Sequence, residues 1–410
     1  MSKKIIVIGG GASGMIAAIA AKRKGALVTI LERNPRVGKK ILATGNGRCN
    51  YTNMDIDIKN YHGENPEFAR YILSQFGADK TIDFFEKLGI TPTVEEGGKV
   101  FPMSLQSSSV LDVLRMELEE LKVETICDFY VKSVKKIENG FIVRSEKGTS
   151  LRTDKIILAT GGKSMPSSGS DGNGYELSRS LGHKITNIFP GLVQLKTEER
   201  LLKEADGVKI IGNIKLANHG CILREERGDI LFTNYGISGP PVLQISREAL
   251  ELINMGQNPV VIISIINDRT KEELREYLKK RFSYKPKRTM EESLIGLINK
   301  RLIGIMLKKT EIDRRKSAGN ITKMELEKIV NILMNWEMKI IGSKSFPSCQ
   351  ITAGGVSTDE INSKTLESKI IKGLYFSGEL IDIDGDCGGF NLQWAWSSGF
   401  IAGQNAAFML

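Results

Sequence analysis

The stretch "KKIIVIGGGASGMIAAIAAKRKGALVTILE", residues 3–32, decides the fold. Its opening "KKIIVIGG" is a short β-branched apolar run, which predicts a buried strand. "SGMIAAIAAKRKG" predicts a helix that ends at Gly25, and "ALVTILE" predicts a second strand. The chain therefore opens with a βαβ unit. Between the first strand and the helix, Gly9, Gly11 and Gly14 form the G-x-G-x-x-G pattern of dinucleotide-binding turns.

Each glycine of this turn has a physical role. Gly9 permits the tight turn, Gly11 lets a pyrophosphate approach the backbone, and Gly14 allows close helix–strand packing. The helix N-terminus offers free N–H groups and the positive end of its dipole to the phosphates. Glu32 closes the second strand 18 residues after Gly14, where its carboxylate can accept hydrogen bonds from ribose hydroxyls. The pattern predicts a dinucleotide cofactor, and Glu32 alone does not choose between FAD and NAD.

A second glycine-rich loop favours FAD. It lies in "RNPRVGKKILATGNGRCNYTN", residues 33–53, where Lys39 and Lys40 precede the loop at 44–50. Such a loop can wrap the far half of an extended dinucleotide, and the two cations can meet its pyrophosphate.

Length and composition limit the class of protein. A chain of 410 residues predicts two or three domains, and 41% hydrophobic with 26% charged residues is typical of a globular protein. No apolar run of about 18 residues predicts a membrane span. Glycines interrupt the N-terminal apolar run and no A-x-A site follows, so we do not expect a signal peptide. Five scattered cysteines predict reduced thiols and a cytoplasmic location.

The basic surplus is confined to one segment. The net charge is +10, and residues 269–344 hold 20 Lys/Arg against 10 Asp/Glu, so the rest of the chain is balanced. A solvated helical surface is the ordinary explanation. An anionic partner, such as nucleic acid or a phosphorylated substrate, is the alternative.

The order of predicted elements gives a domain map. Residues 1–190 and 347–410 form two parts of one α/β domain, interrupted by short strands at 191–268, a basic helical segment at 269–336 and a return strand at 337–346. The predicted fold class is therefore α/β, with a Rossmann-like domain carrying an inserted β-barrel and a helical subdomain.

Six blocks of sequence carry a family resemblance. They are "IGGGASGMIAAIAA…ILER", "GKKILATGNGRCN", "ILATGGKSMP", "LFTNYGISGPPVLQIS", "ITAGGVS" and "GLYFSGELIDIDGDCGGFNLQWAWSSG". In this order they resemble the bacterial BaiN/aminoacetone-oxidase-type (YhiN-like) flavoproteins, often described as NAD(P)/FAD-dependent oxidoreductases. The blocks span the chain. The resemblance implies an FAD-binding domain of glutathione-reductase type with an inserted barrel and helical subdomain.

The resemblance also implies a set of cofactor-binding residues. Carried over onto matching positions, the implied FAD contacts are Gly9, Gly11, Ala12, Ser13, Gly14, Glu32, Arg33, Lys40, Gly45, Gly47, Arg48, Cys49, Asn50, Val131, Ala159, Thr160, Gly161, Gly378, Glu379, Gly388, Gly389, Phe390, Asn391 and Leu392. Two positions depart from the pattern. Thr44 stands in place of Ser, and Cys387 in place of the more usual Thr. A small buried cysteine is the expected role of Cys387.

The sequence of the last helix predicts how the protein would stabilise the negative charge of a reduced flavin. Hydride arriving at flavin N5 leaves negative charge at N1 and the C2 carbonyl, and a helix N-terminus stabilises that charge. Gly388 and Gly389, followed by "FNLQWAWSSG", predict such a helix start. No metal site is expected, since "DIDGD" at 382–386 lacks the later ligands of a calcium loop.

Other candidate catalytic features are weak. His62, His183 and His219 are isolated and predict structural roles, and Cys49 lacks the partner of a C-x4-C redox pair. No second G-x-G-x-x-G predicts a separate NAD(P)H domain. No residue is predicted as a catalytic acid or base.

The leading functional hypothesis is an FAD-dependent oxidoreductase that transfers hydride between the flavin and a small organic substrate. NAD(P)H could serve as a transient co-substrate that supplies the hydride, or oxygen could accept it. The alternatives are a flavoprotein that binds or acts on RNA through the basic helical insert, and a non-enzymatic flavin-binding protein. The sequence carries no prediction of the oligomeric state.

Overall fold

The structure, a computed structural model, describes residues 2–408, and its chain divides into two compact units. Unit 1 comprises residues 2–190 together with 349–408, and unit 2 comprises Gly191–Ser348.

The strands are β1 Lys4–Ile8, β2 Leu27–Leu31, β3 Thr52–Asn53, β4 Tyr61–His62, β5 Pro92–Val94, β6 Lys99–Pro102, β7 Glu124–Ile126, β8 Val131–Ile137, β9 Gly140–Ser145, β10 Ser150–Thr153, β11 Lys155–Leu158, β12 Phe189–Gly191, β13 Leu195–Thr197, β14 Lys209–Asn218, β15 Cys221–Thr233, β16 Gly236–Ser238, β17 Val260–Ser264, β18 Trp336–Ser343, β19 Ile351–Ala353, β20 Leu374–Phe376 and β21 Asp384–Gly385. The helices are α1 Ala12–Arg23, α2 Ala69–Gln75, α3 Ala78–Lys87, α4 Ser107–Glu120, α5 Asn173–Ser180, α6 Pro240–Asn254, α7 Lys271–Tyr284, α8 Met290–Leu294, α9 Lys300–Thr310, α10 Lys323–Met334 and α11 Phe390–Ala407.

Unit 1 is built on a parallel sheet of five strands in the order β20-β11-β1-β2-β7. All four neighbouring pairs are parallel, and Ile6 in the central strand is opposite both Thr29 and Ile156. The near-continuous apolar sequence of β1 follows from this position, because a central parallel strand is covered on both faces. The chain leaves β1 toward β2 on one side and returns to β11 on the other. The carboxyl end of β1 is therefore a topological switch point, where open α/β sheets bind ligands.

The predicted βαβ opening is present. Helix α1 ends at Arg23, and Lys24 and Gly25 turn the chain into β2, with Gly25 at φ +87°. Nine consecutive residues of α1, Ser13–Ala21, are buried. A helix that is apolar all round packs on more than one side, and α1 lies between the sheet and α11, the last helix of the chain.

Unit 2 contains a closed six-stranded barrel with the order β13-β16-β15-β14-β17-β18. Burial alternates along β18, as expected of a strand with one face turned into a barrel. Phe232 of β15 stacks on Trp336 of β18 with ring centroids 5.6 Å apart, and both side chains are buried. Strand β18 closes the barrel, although it follows the whole helical segment in sequence.

The helices of unit 2 have strong local start signals. Thr270, Thr289 and Thr322 each form a capping box with the glutamate three residues later, at the starts of α7, α8 and α10. Helix α6 differs from the sequence analysis, which predicted only short strands between residues 191 and 268. Pro240 and Pro241 occupy its first turn, where proline costs no hydrogen bond.

The predicted fold class is confirmed: a Rossmann-type α/β fold with a barrel encoded between its two parts. Within residues 2–408, no helix is long and apolar enough to cross a membrane.

Candidate flavin-binding site

The glycine turn after β1 is shaped by two close contacts and one open position. A methyl group on Gly9, at φ +104°, would lie 2.5 Å from the carbonyl oxygen of Ala159, and one on Gly14 would overlap the carbonyl oxygen of Gly9. A methyl group on Gly11 would meet no atom within 4 Å. The space beside Gly11, at the N-terminus of α1, therefore fits a phosphate that approaches the backbone.

Glu32 fastens this turn to the end of β2. One carboxylate oxygen accepts the N–H of Gly10 at 2.8 Å, and the other accepts the backbone and side-chain N–H groups of Asn34, each at 2.8 Å. Glu32 is buried, yet a carboxylate has about four acceptor positions and three are used. Capacity remains for a ribose hydroxyl.

Arg33 lies beside residues from two other segments. Its guanidinium pairs with Asp171 and lies over the Tyr130 ring, 4.8 Å from the centroid. The carbonyl of Val131, the residue after Tyr130, accepts a hydrogen bond from the Asn173 side chain at 2.9 Å. Arg33 and Val131, two of the predicted FAD contacts, thus lie close to Tyr130, Asp171 and Asn173, which sequence reasoning did not select.

Lys40 and Glu379 form an ion pair with nitrogen and oxygen 2.8 Å apart, although 338 residues separate them in the chain. Ser164 bridges the pair, because its hydroxyl accepts from Lys40 and donates to Glu379 at 3.0 Å. The N–H of Thr352 donates to the same carboxylate at 2.6 Å. Four separate segments meet here, and the sequence analysis expected Lys40 and Glu379 near a cofactor without predicting that they bind each other.

The loop at 44–50 turns sharply at two adjacent left-handed residues, Gly45 at φ +55° and Asn46 at φ +54°. A methyl group on Gly45 would lie 2.8 Å from the backbone nitrogen of Asn50, whereas one on Gly47 would meet nothing. The Arg48 guanidinium pairs with Glu95 at 2.8 Å and lies over the Phe101 ring. These two residues therefore already engage it.

Cys49 is fully buried, and burial raises the pKa of its thiol to about 12 against a weaker opposing hydrogen bond from Thr44. A thiolate is the reactive form of cysteine, so Cys49 is unreactive near neutral pH. Cys387 is half-buried.

The turn before α11 meets the glycine-rich loop at 44–50. Gly388 and Gly389 have φ values of +140° and +102°, and a methyl group on Gly389 would lie 2.9 Å from Oδ1 of Asn50. That Asn50 oxygen is buried and makes no hydrogen bond to any residue between 2 and 408. Asn391 clamps the turn, since its side chain bonds both the N–H and the carbonyl of Gly385 at 2.8 and 2.7 Å.

The first and last helices are in direct contact. Methyl groups on Gly399 and Gly403 of α11 would overlap the carbonyl oxygens of Ser13 and Ala17 in α1. One on Gly378 would lie 2.5 Å from the Ser13 hydroxyl oxygen. The G-x-G-x-x-G turn, the end of β20 and the last helix therefore converge at the carboxyl edge of one sheet.

Most of the remaining predicted residues lie at this edge. Ala159, Thr160 and Gly161 follow β11. Ala12 begins α1, and Phe390 begins α11 with its ring buried against Tyr61. Leu392 is half-buried in the first turn of α11. Sequence reasoning missed Ser164, Thr352 and Asn53, whose contacts are distant in sequence and have no local signal. Asn53 donates to the carbonyl of Gly388 at 2.8 Å. It also missed Asn34, which binds Glu32 two residues earlier.

The geometry fits an extended dinucleotide. Gly11 and Gly47 provide open backbone, and Asn50 provides an unpartnered buried acceptor next to the α11 N-terminus. Unpaired buried acceptors are rare in proteins, and their presence indicates a missing donor.

The family model "HI0933-like protein Rossmann domain" matches residues 3–405. The chain belongs to the HI0933-like family. This confirms the resemblance to YhiN/BaiN-type proteins. As a member of this family, the chain is an enzyme: a flavoprotein oxidoreductase with a Rossmann-type fold.

Two named relatives of this HI0933-like chain align along nearly its whole length. A 3-dehydro-bile acid delta(4,6)-reductase of Clostridium scindens is 41% identical over 406 residues, covering 98% of this chain and 99% of that protein. A ribosomal RNA dihydrouridine synthase of Escherichia coli is 31% identical over 413 residues, covering 98% and 97%.

A solved structure shares the fold of this HI0933-like chain. The 3-ketosteroid delta1-dehydrogenase from Sterolibacterium denitrificans aligns with a TM-score of 0.50 at 13% identity, covering 99% of this chain and 100% of that one. At this identity the likeness describes the fold alone.

Proposed function

We propose that this protein reduces a carbon–carbon double bond conjugated to a carbonyl in a small organic substrate, with FAD held by unit 1. The hydride is delivered from the reduced flavin to the carbon distal to the carbonyl.

The observation that carries the proposal is the start of α11. The helix runs for 18 residues and begins directly after two left-handed glycines, so no side chain shields its first N–H groups on the Gly388–Gly389 side. The positive end of its dipole stabilises negative charge placed there. Reduction of a flavin puts negative charge on its pyrimidine ring, so a helix start facing that ring favours the reduced form.

The proposed cofactor contacts follow the convergence described above. The Gly9–Gly14 turn and α1 would hold the pyrophosphate, and Glu32 the ribose. The loop at 44–50, the Lys40–Glu379 pair and the Gly388–Leu392 segment would hold the flavin half. When bound, FAD supplies a two-electron hydride carrier.

The names of the relatives support the type of bond. A 3-oxo steroid with double bonds at positions 4 and 6 is a conjugated dienone, and dihydrouridine is uridine reduced at a ring bond conjugated to a carbonyl. Both names therefore describe addition of hydride and a proton across an activated double bond. We infer the same chemistry here, at 41% and 31% identity.

The electron donor we propose is a reduced nicotinamide that binds transiently over the flavin. The described residues contain one dinucleotide-type parallel sheet, whose glycine turn the FAD would occupy.

Anaerobic stopped-flow spectroscopy tests the function in two stages. NADH or NADPH should bleach the yellow protein, and a conjugated enone or dienone should restore its colour. The variant Gly11→Ala should purify without FAD, and Gly304→Ala, in the open middle of α9, should behave as wild type. Protein that remains colourless after reconstitution, or reduced flavin that no conjugated carbonyl reoxidises, would refute the proposal.

The second candidate substrate is a uracil ring within RNA. Lys280 near the end of α7 and Lys285, Lys287 and Arg288 in the α7–α8 connection are exposed. Tyr284, which directly precedes this connection, has an exposed fraction of 66%. Exposed cations interleaved with an aromatic ring suit a single-stranded nucleic acid. The relatives named ribosomal RNA dihydrouridine synthase, from Escherichia coli and Haemophilus influenzae, favour this candidate.

Salt dependence discriminates this candidate. If the surface binds RNA, the triple variant Lys285→Ala/Lys287→Ala/Arg288→Ala should reduce the slope of log affinity against log salt by about 2, at about 0.7 per phosphate contact. Reduction of a free enone should be unchanged. Absence of RNA binding at about 50 mM salt would eliminate the RNA candidate and leave the small-molecule proposal intact.

Cys49, Cys127 and Cys221 are free thiols. This supports the proposal that the protein works in a reducing compartment such as the cytoplasm.

A further inference from the structure

His62 and Asp386 form a pair next to the glycine turn that begins α11. Nε2 of His62 lies 3.0 Å from Oδ1 of Asp386, with 26% and 11% of the two side chains exposed. The residues are 324 positions apart in sequence. Asp386 lies two positions before Gly388, the first glycine of that turn.

The fold holds the pair in place through backbone bonds. Strands β4 and β21 pair antiparallel, with His62 opposite Asp384 and Tyr61 opposite Gly385. The N–H of Asp386 donates to the carbonyl of Asn60 at 2.9 Å, and Asn391 accepts and donates hydrogen bonds at Gly385. Both members of the pair therefore sit on backbone that is fixed relative to the start of α11.

Two polar groups at this location lack partners. In the described range, 2–408, Nδ1 of His62 makes no hydrogen bond. Oδ1 of Asn60 is buried and also has none. A buried acceptor without a partner is costly, and a ligand group or an ordered water relieves that cost. The pair thus presents one engaged and one available nitrogen, and Asn60, whose backbone carbonyl binds Asp386, adds a buried acceptor without a partner among residues 2–408.

Two other proton carriers near the turn, Cys49 and Tyr61, are less accessible than His62. The Cys49 thiol is fully buried with its pKa raised to about 12. The Tyr61 hydroxyl is buried, donates to the carbonyl of Phe390 at 3.2 Å, and has its pKa raised by burial. Both groups are buried, whereas the His62 side chain is 26% exposed and is accessible from solvent.

We propose that His62 is the acid that protonates the substrate carbon next to the carbonyl, and that Asp386 is a positioning residue for it. This inference rests on the proposed function. In this arrangement the Asp386 carboxylate accepts the Nε2–H of His62, which leaves Nδ1 as the nitrogen that passes a proton to the substrate.

The step balances as an addition of H⁻ and H⁺. FAD bound in unit 1 and reduced by a nicotinamide would supply the hydride for the new C–H bond at the distal carbon. The π electrons of the double bond move toward the carbonyl, and the proton from Nδ1 of the His62 imidazolium forms the C–H bond at the adjacent carbon. Neutral His62, still bonded through Nε2–H to Asp386, regains its proton from solvent.

The test compares His62→Gln and Asp386→Asn with wild type. His62→Gln should bind FAD and be bleached by NAD(P)H at wild-type rates, while reoxidation by an enone slows on the order of 100-fold. Asp386→Asn should slow reoxidation about 10-fold. In deuterated solvent, the wild-type product should carry deuterium at the carbon next to the carbonyl.

The positioning role of Asp386 is tested by a measurement that does not depend on turnover. Nitrogen-15 NMR of the apoprotein should show neutral His62 as the Nε2–H tautomer in wild type and as a tautomer mixture in Asp386→Asn. A structural role for Asp386 would leave the tautomer unchanged.

His183→Gln is the matched control, because His183 also pairs with a carboxylate, that of Glu360, at 3.1 Å. It should reoxidise like wild type. If an enone reoxidises wild type and His62→Gln at the same rate, this inference is wrong but the proposed function stands. A wild-type protein that no conjugated carbonyl reoxidises would overturn the proposed function, and this inference with it.

Discussion

Gly399 in the last helix lies directly against Ser13 in the first, so close that a methyl group on Gly399 would overlap the Ser13 carbonyl oxygen and approach Ile16 to 2.5 Å. Gly399→Ala should therefore force α1 and α11 apart. We expect a loss of about 1–3 kcal/mol in unfolding free energy, typical of overpacking, together with weaker FAD binding. Thermal unfolding with and without FAD measures both. Gly304→Ala, whose added methyl meets no atom, should be neutral or slightly stabilising.

Gly11 and Gly14 separate ligand binding from folding. Gly11 has extended backbone at φ −80°, which alanine adopts, and its added methyl would enter open space. Gly11→Ala should leave the melting temperature of the apoprotein unchanged and abolish FAD binding. Gly14→Ala should destabilise the apoprotein itself, because its methyl would overlap the carbonyl oxygen of Gly9. Equal FAD affinity in Gly11→Ala and wild type would show that no phosphate lies there.

The Lys40–Glu379 pair should behave as a coupled unit. Lys40→Met and Glu379→Gln should each lower the unfolding free energy by about 1–3 kcal/mol, less than for a fully buried pair because both side chains are partly exposed, at 26% and 20%. Removing one partner leaves the other charge unpaired, so the double variant should lose less than the sum. Urea unfolding of the four proteins gives the coupling. If the double variant lost the sum of the two single losses in unfolding free energy, Lys40 and Glu379 would not be coupled. Arg70→Met, in an exposed pair with Glu67, should leave the urea midpoint unchanged.

His183 should make stability depend on pH. Its ring lies between Glu360 and Ser368, with the hydroxyl oxygen 3.0 Å from Nε2. Burial lowers the pKa of His183 below its usual 6.5, against the opposing effect of Glu360. The unfolded chain therefore binds a proton that the folded protein resists. Stability is fully present above about pH 6.5 and falls as the pH drops toward the folded pKa.

Urea midpoints between pH 8 and pH 5.5 measure this effect. His183→Gln should be less stable than wild type at pH 8 and should lose less between the two pH values. His219→Gln, at an exposed position, should follow the wild-type curve. An unchanged slope in His183→Gln would assign the pH dependence to other groups.

Thiol labelling should rank the cysteines by exposure. At pH 8 an alkylating reagent should modify Cys221, which is exposed, and leave Cys49 intact until the protein unfolds. Peptide mass spectrometry distinguishes the sites, and Cys221→Ser removes the fast reaction. Rapid modification of Cys49 in native protein would contradict its burial.

Local patterns predicted the nucleotide-binding half of the fold. The glycine turn, the apolar β1 and the acidic Glu32 lie within about 30 residues, which is the length of one βαβ unit, so short-range physics is sufficient. The same holds for the last helix and the strand runs of the barrel. Helix α6 was missed because its Pro-Pro start resembles a loop, although proline is well tolerated in a first helical turn.

The polar pairs of the candidate site could not be predicted. Lys40 pairs with Glu379, and His62 pairs with Asp386, only because the fold brings distant segments together at the sheet edge. Burial and hydrogen-bond geometry, which decide such pairings, are absent from a single sequence. The sequence therefore predicted a structural role for His62, as an isolated residue, and a phosphate contact for Lys40.

The contact between α1 and α11 has a consequence for synthesis on the ribosome. The nascent chain presents Ser13 and Ala17 early, but their partners Gly399 and Gly403 are translated much later, and strand β20 reaches β11 only shortly before them. Until these segments are made, one edge of the central sheet stays unpaired and one side of α1 stays uncovered. Such surfaces are recognised by chaperones. We therefore expect that a messenger truncated anywhere before codon 399 yields a product that cannot retain cofactor and is routed to degradation.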